Sequence, residues 1–124
     1  SHETVDARRH YMYMNGPEVF KFAVKAIENA VTTVLDRAGL TTEDVALVVP
    51  HQANNRIIES AAKRLSIPYE RWMNNIRDFG NTSGGSIPIA LNQAYEEGRL
   101  HEGEVVLLVG FGGGLTWGGV ALRW

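Results

Sequence analysis

Five consecutive apolar residues, Val45-Ala46-Leu47-Val48-Val49, close on Pro50 and run straight into the polar His51-Gln52-Ala53-Asn54. An apolar run of strand length without polar alternation is the pattern of a strand covered on both faces, which requires helices on either side of a sheet. The flanking sequence supplies them. Gly16-Pro17 opens a helical pattern, because a proline in the first turn gives up an N–H that would be unpaired there. Phe20, Ala23, Val24, Ile27, Val31, Val34, Leu35 and Ala38 recur at three- and four-residue spacing, and Gly39 is the natural stop. At about 1.5 Å per residue this helix runs about 33 Å, enough to cross the face of a sheet.

A second helix is expected over Ala53 to Leu65, with Ile57, Ile58, Ala61, Ala62 and Leu65 apolar, and a third over Ser86 to Glu97, stopped by Gly98. Between them Tyr69 to Phe79 is irregular, with a short strand predicted around Trp72 to Ile76. Glu104 to Phe111 and Leu115 to Trp124 read as two strands joined by Gly112-Gly113-Gly114, which makes them an antiparallel pair. The whole is an α/β layered fold with a mixed sheet. Residues 1–13 carry no apolar periodicity and are expected to be a lead segment or fragment boundary without a role in the fold.

Composition narrows the function. At 124 residues the chain suffices for one domain with its own core. A formal charge of -2 gives no general attraction to nucleic acid or to an anionic membrane, so an electrostatic partner must be met by a local patch. With no cysteine, the chain has no disulfide, no thiolate ligand for zinc and no thiol nucleophile. Its four histidines, His2, His10, His51 and His101, lack paired-ligand spacing, so no metal site is expected. The longest apolar run, Val105 to Val109, falls far below the roughly 20 residues of a bilayer-spanning helix.

Two polar turns are the candidates for chemistry. His51 follows a buried strand, and ligands of open α/β sheets bind beyond the carboxyl ends of strands; a core histidine satisfied by backbone is the competing account. Asn81 in Gly80-Asn81-Thr82-Ser83 is either ordinary turn chemistry or a second donor beside His51. Gly110-Phe111-Gly112-Gly113-Gly114 does not fit a phosphate loop, because Leu115 stands where the third glycine belongs. Its glycines serve either a tight hairpin or a close backbone approach to a reacting oxygen. Ser83 and Ser86 lack a nucleophile-elbow context and are expected to cap helices. Arg56, Lys63 and Arg64 make a basic helix side, whether merely solvated or a docking face for something acidic or phosphorylated.

Taken in order, Gly16-Pro17-Glu18-Val19-Phe20-Lys21-Phe22-Ala23-Val24, Pro50-His51-Gln52-Ala53-Asn54-Asn55-Arg56-Ile57-Ile58, Gly80-Asn81-Thr82-Ser83 and Phe111-Gly112-Gly113-Gly114-Leu115-Thr116-Trp117-Gly118 resemble the C-terminal half of the β-ketoacyl-acyl carrier protein synthase III family. These are thiolase-fold condensing enzymes, and the resemblance covers Met14 to Trp124. It departs from the family pattern at Gly84-Gly85, where alanines are expected, and at Pro17, a position that is often polar.

The resemblance implies one half of an αβαβα layered fold and a decarboxylative condensation of a short acyl-CoA with malonyl-acyl carrier protein. It gives His51 and Asn81 the role of donors to the malonyl thioester oxygen and Gly113 a place in the acyl oxyanion hole. Phe20, Ala53, Asn54 and Phe111 would line the substrate path, and Lys21, Arg56, Lys63 and Arg64 would receive the acidic carrier protein. The acyl-carrying cysteine belongs to the family's N-terminal half, so this chain alone is expected to be silent. No cofactor is implied, and the expected setting is a cytoplasmic homodimer that engages neither nucleic acid nor membrane. Two other functions remain open: a condensing enzyme using a different primer or extender, and a noncatalytic acyl- or CoA-binding module.

Overall fold

A computed structural model describes residues 1–11 and 13–124 of the chain. Of the lead segment, only Met12 lies outside the described residues. In order the chain forms α1 (His2–Asp6), α2 (Gly16–Ala38), β1 (Val45–Pro50), α3 (Asn55–Leu65), α4 (Ile76–Phe79), α5 (Ser86–Glu96), β2 (Val105–Gly112) and β3 (Thr116–Arg123). The Asn15 side chain caps α2 by accepting from the Glu18 N–H at 3.4 Å, so Pro17 in the first turn need not supply a polar side chain. Gly39 ends the helix in the left-handed region at φ 66°, which a residue without Cβ adopts at little cost.

The strands lie in the order β1-β2-β3. β1 runs parallel to β2, with Val48 opposite Leu107 and Pro50 opposite Val109, and β3 returns antiparallel, with Leu107 opposite Ala121 and Phe111 opposite Trp117. Alternation then divides the apolar side chains between two cores. Val48, Leu107 and Val109 meet Ala23, Ile27 and Val31 of α2 and Ile58 and Ala61 of α3. On the opposite face Leu47, Val49 and Val106 meet Ala90 and Ala94 of α5. Both faces of β1 are therefore covered, which is why its sequence shows no alternation.

Three sequence expectations are corrected. α3 begins at Asn55 rather than Ala53, because Asn54 is its cap. The strand expected around Trp72 to Ile76 is reduced to a single parallel bridge between Val48 and Trp72, with the Met73 N–H on the Val48 carbonyl at 2.8 Å. Backbone groups that would extend it are taken by a side chain: Gln52 Nε2 donates to the Met73 carbonyl at 3.1 Å, and Gln52 Oε1 accepts from the Asn75 N–H at 2.9 Å. Within the lead segment, α1 carries a Ser1–Thr4 capping box and buries no residue. Leu115, expected to begin a strand, belongs with Gly113 and Gly114 to a 3-10 turn that carries the chain into β3.

α2 crosses β3 at its closest where Gly119 faces it. A Cβ at Gly119 would sit 3.3 Å from the Ala30 Cβ, the Ala30 carbonyl oxygen and the Val34 Cγ1. Gly119→Val is therefore expected to destabilise the fold by about 1–3 kcal/mol through overpacking. Gly84→Ala, where a Cβ meets nothing within 4 Å, is the comparison and should not destabilise it. Urea midpoints of the two variants check this, and equal midpoints would remove the close-approach account.

Candidate active site

His51 is placed by the sheet. Its N–H donates to the Val109 carbonyl at 2.7 Å, extending the β1–β2 ladder one residue beyond Pro50. The half-buried imidazole stands edge-on to Phe111 of β2, with ring centroids 5.2 Å apart. Its Nδ1 lies 2.5 Å from Ser86 Oγ at the start of α5, and that oxygen also accepts the Gln52 N–H at 3.2 Å. Burial pushes the His51 pKa below its ordinary value, because desolvation penalises the charged ring and so favours the neutral imidazole.

Gln52 locks this turn. It is 0 % exposed, and besides its bonds to Met73 and Asn75 its Nε2 donates to the Pro50 carbonyl at 2.8 Å. The carboxamide thus spans the end of β1 and the segment leading to α4, with both its ends satisfied as a buried polar group requires. From the sequence Gln52 was simply an amide beside His51, and nothing in its local pattern reveals partners so far along the chain.

Asn81 sits in an exposed turn between Gly80, at φ 65°, and Ser83, at φ 51°. Its Oδ1 accepts the Ser83 N–H at 2.9 Å, the geometry of an Asx-type turn. With the oxygen engaged, the Nδ2 amide is the group left to donate. Asn81 is followed by the short turn Ser83–Gly85, which leads to Ser86 beside His51. Neither serine caps α5: Gly85 is its cap, with no side-chain hydrogen bond. Ser86 instead reaches across to the His51–Gln52 turn, a correction that the local sequence could not supply.

Phe20, Ala53 and Phe111 all sit partly buried at the rim of the core beneath α2 and α3. Asn54 has a structural task there, its Oδ1 accepting the Arg56 N–H at 2.9 Å to cap α3, while its side chain remains exposed. Gly113 is exposed in the β2–β3 turn, where its carbonyl accepts from Thr116 Oγ1 at 3.1 Å. The four basic residues divide into two kinds. Lys21 pairs with Glu18 at 2.9 Å within α2, and Arg64 pairs with Glu28 at 3.0 Å, tying α3 to α2. Arg56 lies 6.0 Å from the Phe20 ring centroid, and exposed Lys63 has no ion-pair partner among the described residues. Arg56 and Lys63 thus carry the uncompensated positive charge of this face.

Among the described residues no group of three or more His, Asp or Glu is placed to hold a metal ion. No helix among them is long and apolar enough to cross a membrane.

Solved structures superpose closely on this mixed sheet between helices and make it a thiolase-like domain. β-Ketoacyl-[acyl carrier protein] synthase III from Thermus thermophilus matches with a TM-score of 0.87 and 54% identity, over 90% of this chain and 35% of that one. The priming β-ketosynthase of the R1128 polyketide biosynthetic pathway matches with a TM-score of 0.81 and 40% identity, over 90% of this chain and 34% of that one. Residues 35–124 match the family model described as 3-oxoacyl-[acyl-carrier-protein (ACP)] synthase III C terminal, and the chain belongs to this family. The β-ketoacyl-[acyl-carrier-protein] synthase III of Symbiobacterium thermophilum is 54% identical over 124 residues, which is 100% of this chain and 38% of that protein. The chain thus spans well under half the length of these relatives.

Proposed function

We propose that this chain supplies the enolate-stabilising half of a condensing site that joins a short acyl-CoA to malonyl-acyl carrier protein. In that reaction an acyl group first rests on a cysteine, which the chain lacks and an N-terminal portion must provide. The malonyl carboxylate then leaves as carbon dioxide, and the electron pair of the broken C–C bond is held on the thioester as an enolate. The enolate carbon attacks the acyl-cysteine carbonyl, a C–C bond forms, and the thiolate departs. No cofactor is needed, because the departing carbon dioxide generates the nucleophile.

What supports this reading is His51 at the end of β1 together with Asn81 in the turn before α5, whose oxygen is already engaged and whose amide is left to donate. Brought to one oxygen, the imidazole and amide N–H groups would stabilise the charge it gains during reaction. Gly113 N–H would serve the acyl oxygen, and Phe111 packed against His51 would help to exclude water from the malonyl group. Separate assay of acyl transfer and malonyl decarboxylation in the complete protein tests it. The likeness to a polyketide priming enzyme supports a second reading, the same chemistry with a different primer, and comparison of acyl-CoA primers in that assay separates the two.

The basic face is proposed to meet the carrier protein through Arg56 and Lys63. Lys63→Glu is expected to lower kcat/KM for the carrier-bound malonyl substrate by roughly tenfold, about 1.4 kcal/mol, while changing use of the CoA-linked substrate little. Because screening acts over about 8 Å at physiological salt, the difference should narrow as ionic strength rises. Equal losses with both substrates at every salt concentration would remove the docking role.

A further inference from the structure

The proposed function needs a proton on the imidazole nitrogen that faces the substrate, and a neutral histidine carries only one. Ser86 bears on where that proton goes. The residue is 2% exposed, and its hydroxyl lies 2.5 Å from His51 Nδ1 and already accepts the Gln52 N–H at 3.2 Å. With that N–H directed at the oxygen, the hydroxyl proton has His51 Nδ1 as its one hydrogen-bond acceptor among the described residues. Were Nδ1 to carry the proton, Ser86 Oγ would receive two N–H groups and leave its own buried hydroxyl proton without an acceptor, an unfavourable arrangement.

We infer that Ser86 is a positioning residue that fixes the tautomer of His51, donating its hydroxyl proton to Nδ1 so that Nε2 carries the N–H. Nε2 has no hydrogen-bond partner among the described residues, and it is therefore the nitrogen free to meet a ligand. Gln52 completes the device: its backbone N–H orients the hydroxyl, and its fully bonded side chain holds that N–H in place. The inference deepens the proposed function and rests on it for its catalytic meaning. The tautomer itself stands on geometry alone.

The test is the nitrogen NMR spectrum of the complete protein labelled with 15N-histidine at neutral pH, with the His51 signals found by their loss in His51→Gln. The expected spectrum has Nδ1 as the bare, pyridine-type nitrogen and Nε2 as the proton-bearing, pyrrole-type one. Ser86→Ala should move Nδ1 toward the pyrrole type, and Ser86→Thr, which keeps a hydroxyl, should restore the original pattern; thermal denaturation confirms that each variant is folded. Malonyl decarboxylation should fall roughly 10- to 100-fold in Ser86→Ala, by analogy with the loss when the partner orienting a metal-bound histidine is removed. A proton on Nδ1 in the unaltered protein, or a tautomer unchanged in folded Ser86→Ala, would overturn the inference. Decarboxylation insensitive to both His51→Ala and Asn81→Ala would instead remove the proposed function and leave the tautomer assignment standing, because the spectra read the proton directly.

Discussion

Replacing His51 with alanine in the complete protein is expected to lower malonyl decarboxylation about 10²–10³-fold, the loss typical of removing one donor from an oxyanion site. Asn81→Ala should lose a similar factor, while acylation of the cysteine stays close to normal in both, because the two donors act on the second half-reaction. His51→Gln, which keeps an N–H donor, should retain more activity than His51→Ala. The sheet fixes the His51 backbone through Val109, so the alanine variant should leave the fold intact and the loss should be chemical. Unchanged decarboxylation in both alanine variants would sink the proposed function. If acylation fell equally, these residues would be supporting the whole site and not one step.

The largest stability effect is expected at Gln52. Gln52→Leu keeps most of the volume but strips partners from the Pro50 and Met73 carbonyls and from the Asn75 N–H. Unsatisfied buried groups cost about 1–3 kcal/mol each, and since neighbouring losses are not additive a total of about 3–5 kcal/mol is expected. Urea unfolding at an unchanged m-value would report it as a lowered midpoint. A variant as stable as the original would show that these backbone groups find other partners. The same change should disturb His51 indirectly, since Gln52 N–H holds the hydroxyl beside Nδ1.

Much of this fold was legible in the sequence because its periods are strong. β1 follows from an apolar run covered on both faces, α2 from its one apolar face and the β2–β3 pair from two apolar runs around a glycine turn, and Gly39 ends α2 for a purely local reason. The stretch from Trp72 to Asn75 was misread because its hydrogen bonds go to Gln52, a partner that local propensity cannot express. The candidate site divides in the same way. His51 and Asn81 stand out as candidates from the turns they occupy, whereas Ser86 reads as an ordinary helix-start serine until the fold brings its hydroxyl to His51. Arg64 shows the limit from the other side: helical spacing put it on a basic face with Lys63, but Glu28 on another helix already engages it.

The parallel pairing of β1 with β2 also sets when this site can exist. Val48 meets Leu107 across a long stretch of intervening chain, and the last hydrogen bond of that ladder, from His51 N–H to Val109, is the one that fixes the histidine. Closing so distant a pair spends chain entropy before any contact repays it, so such pairings form slowly. During synthesis the His51 turn must therefore wait, without its anchor, until β2 has emerged.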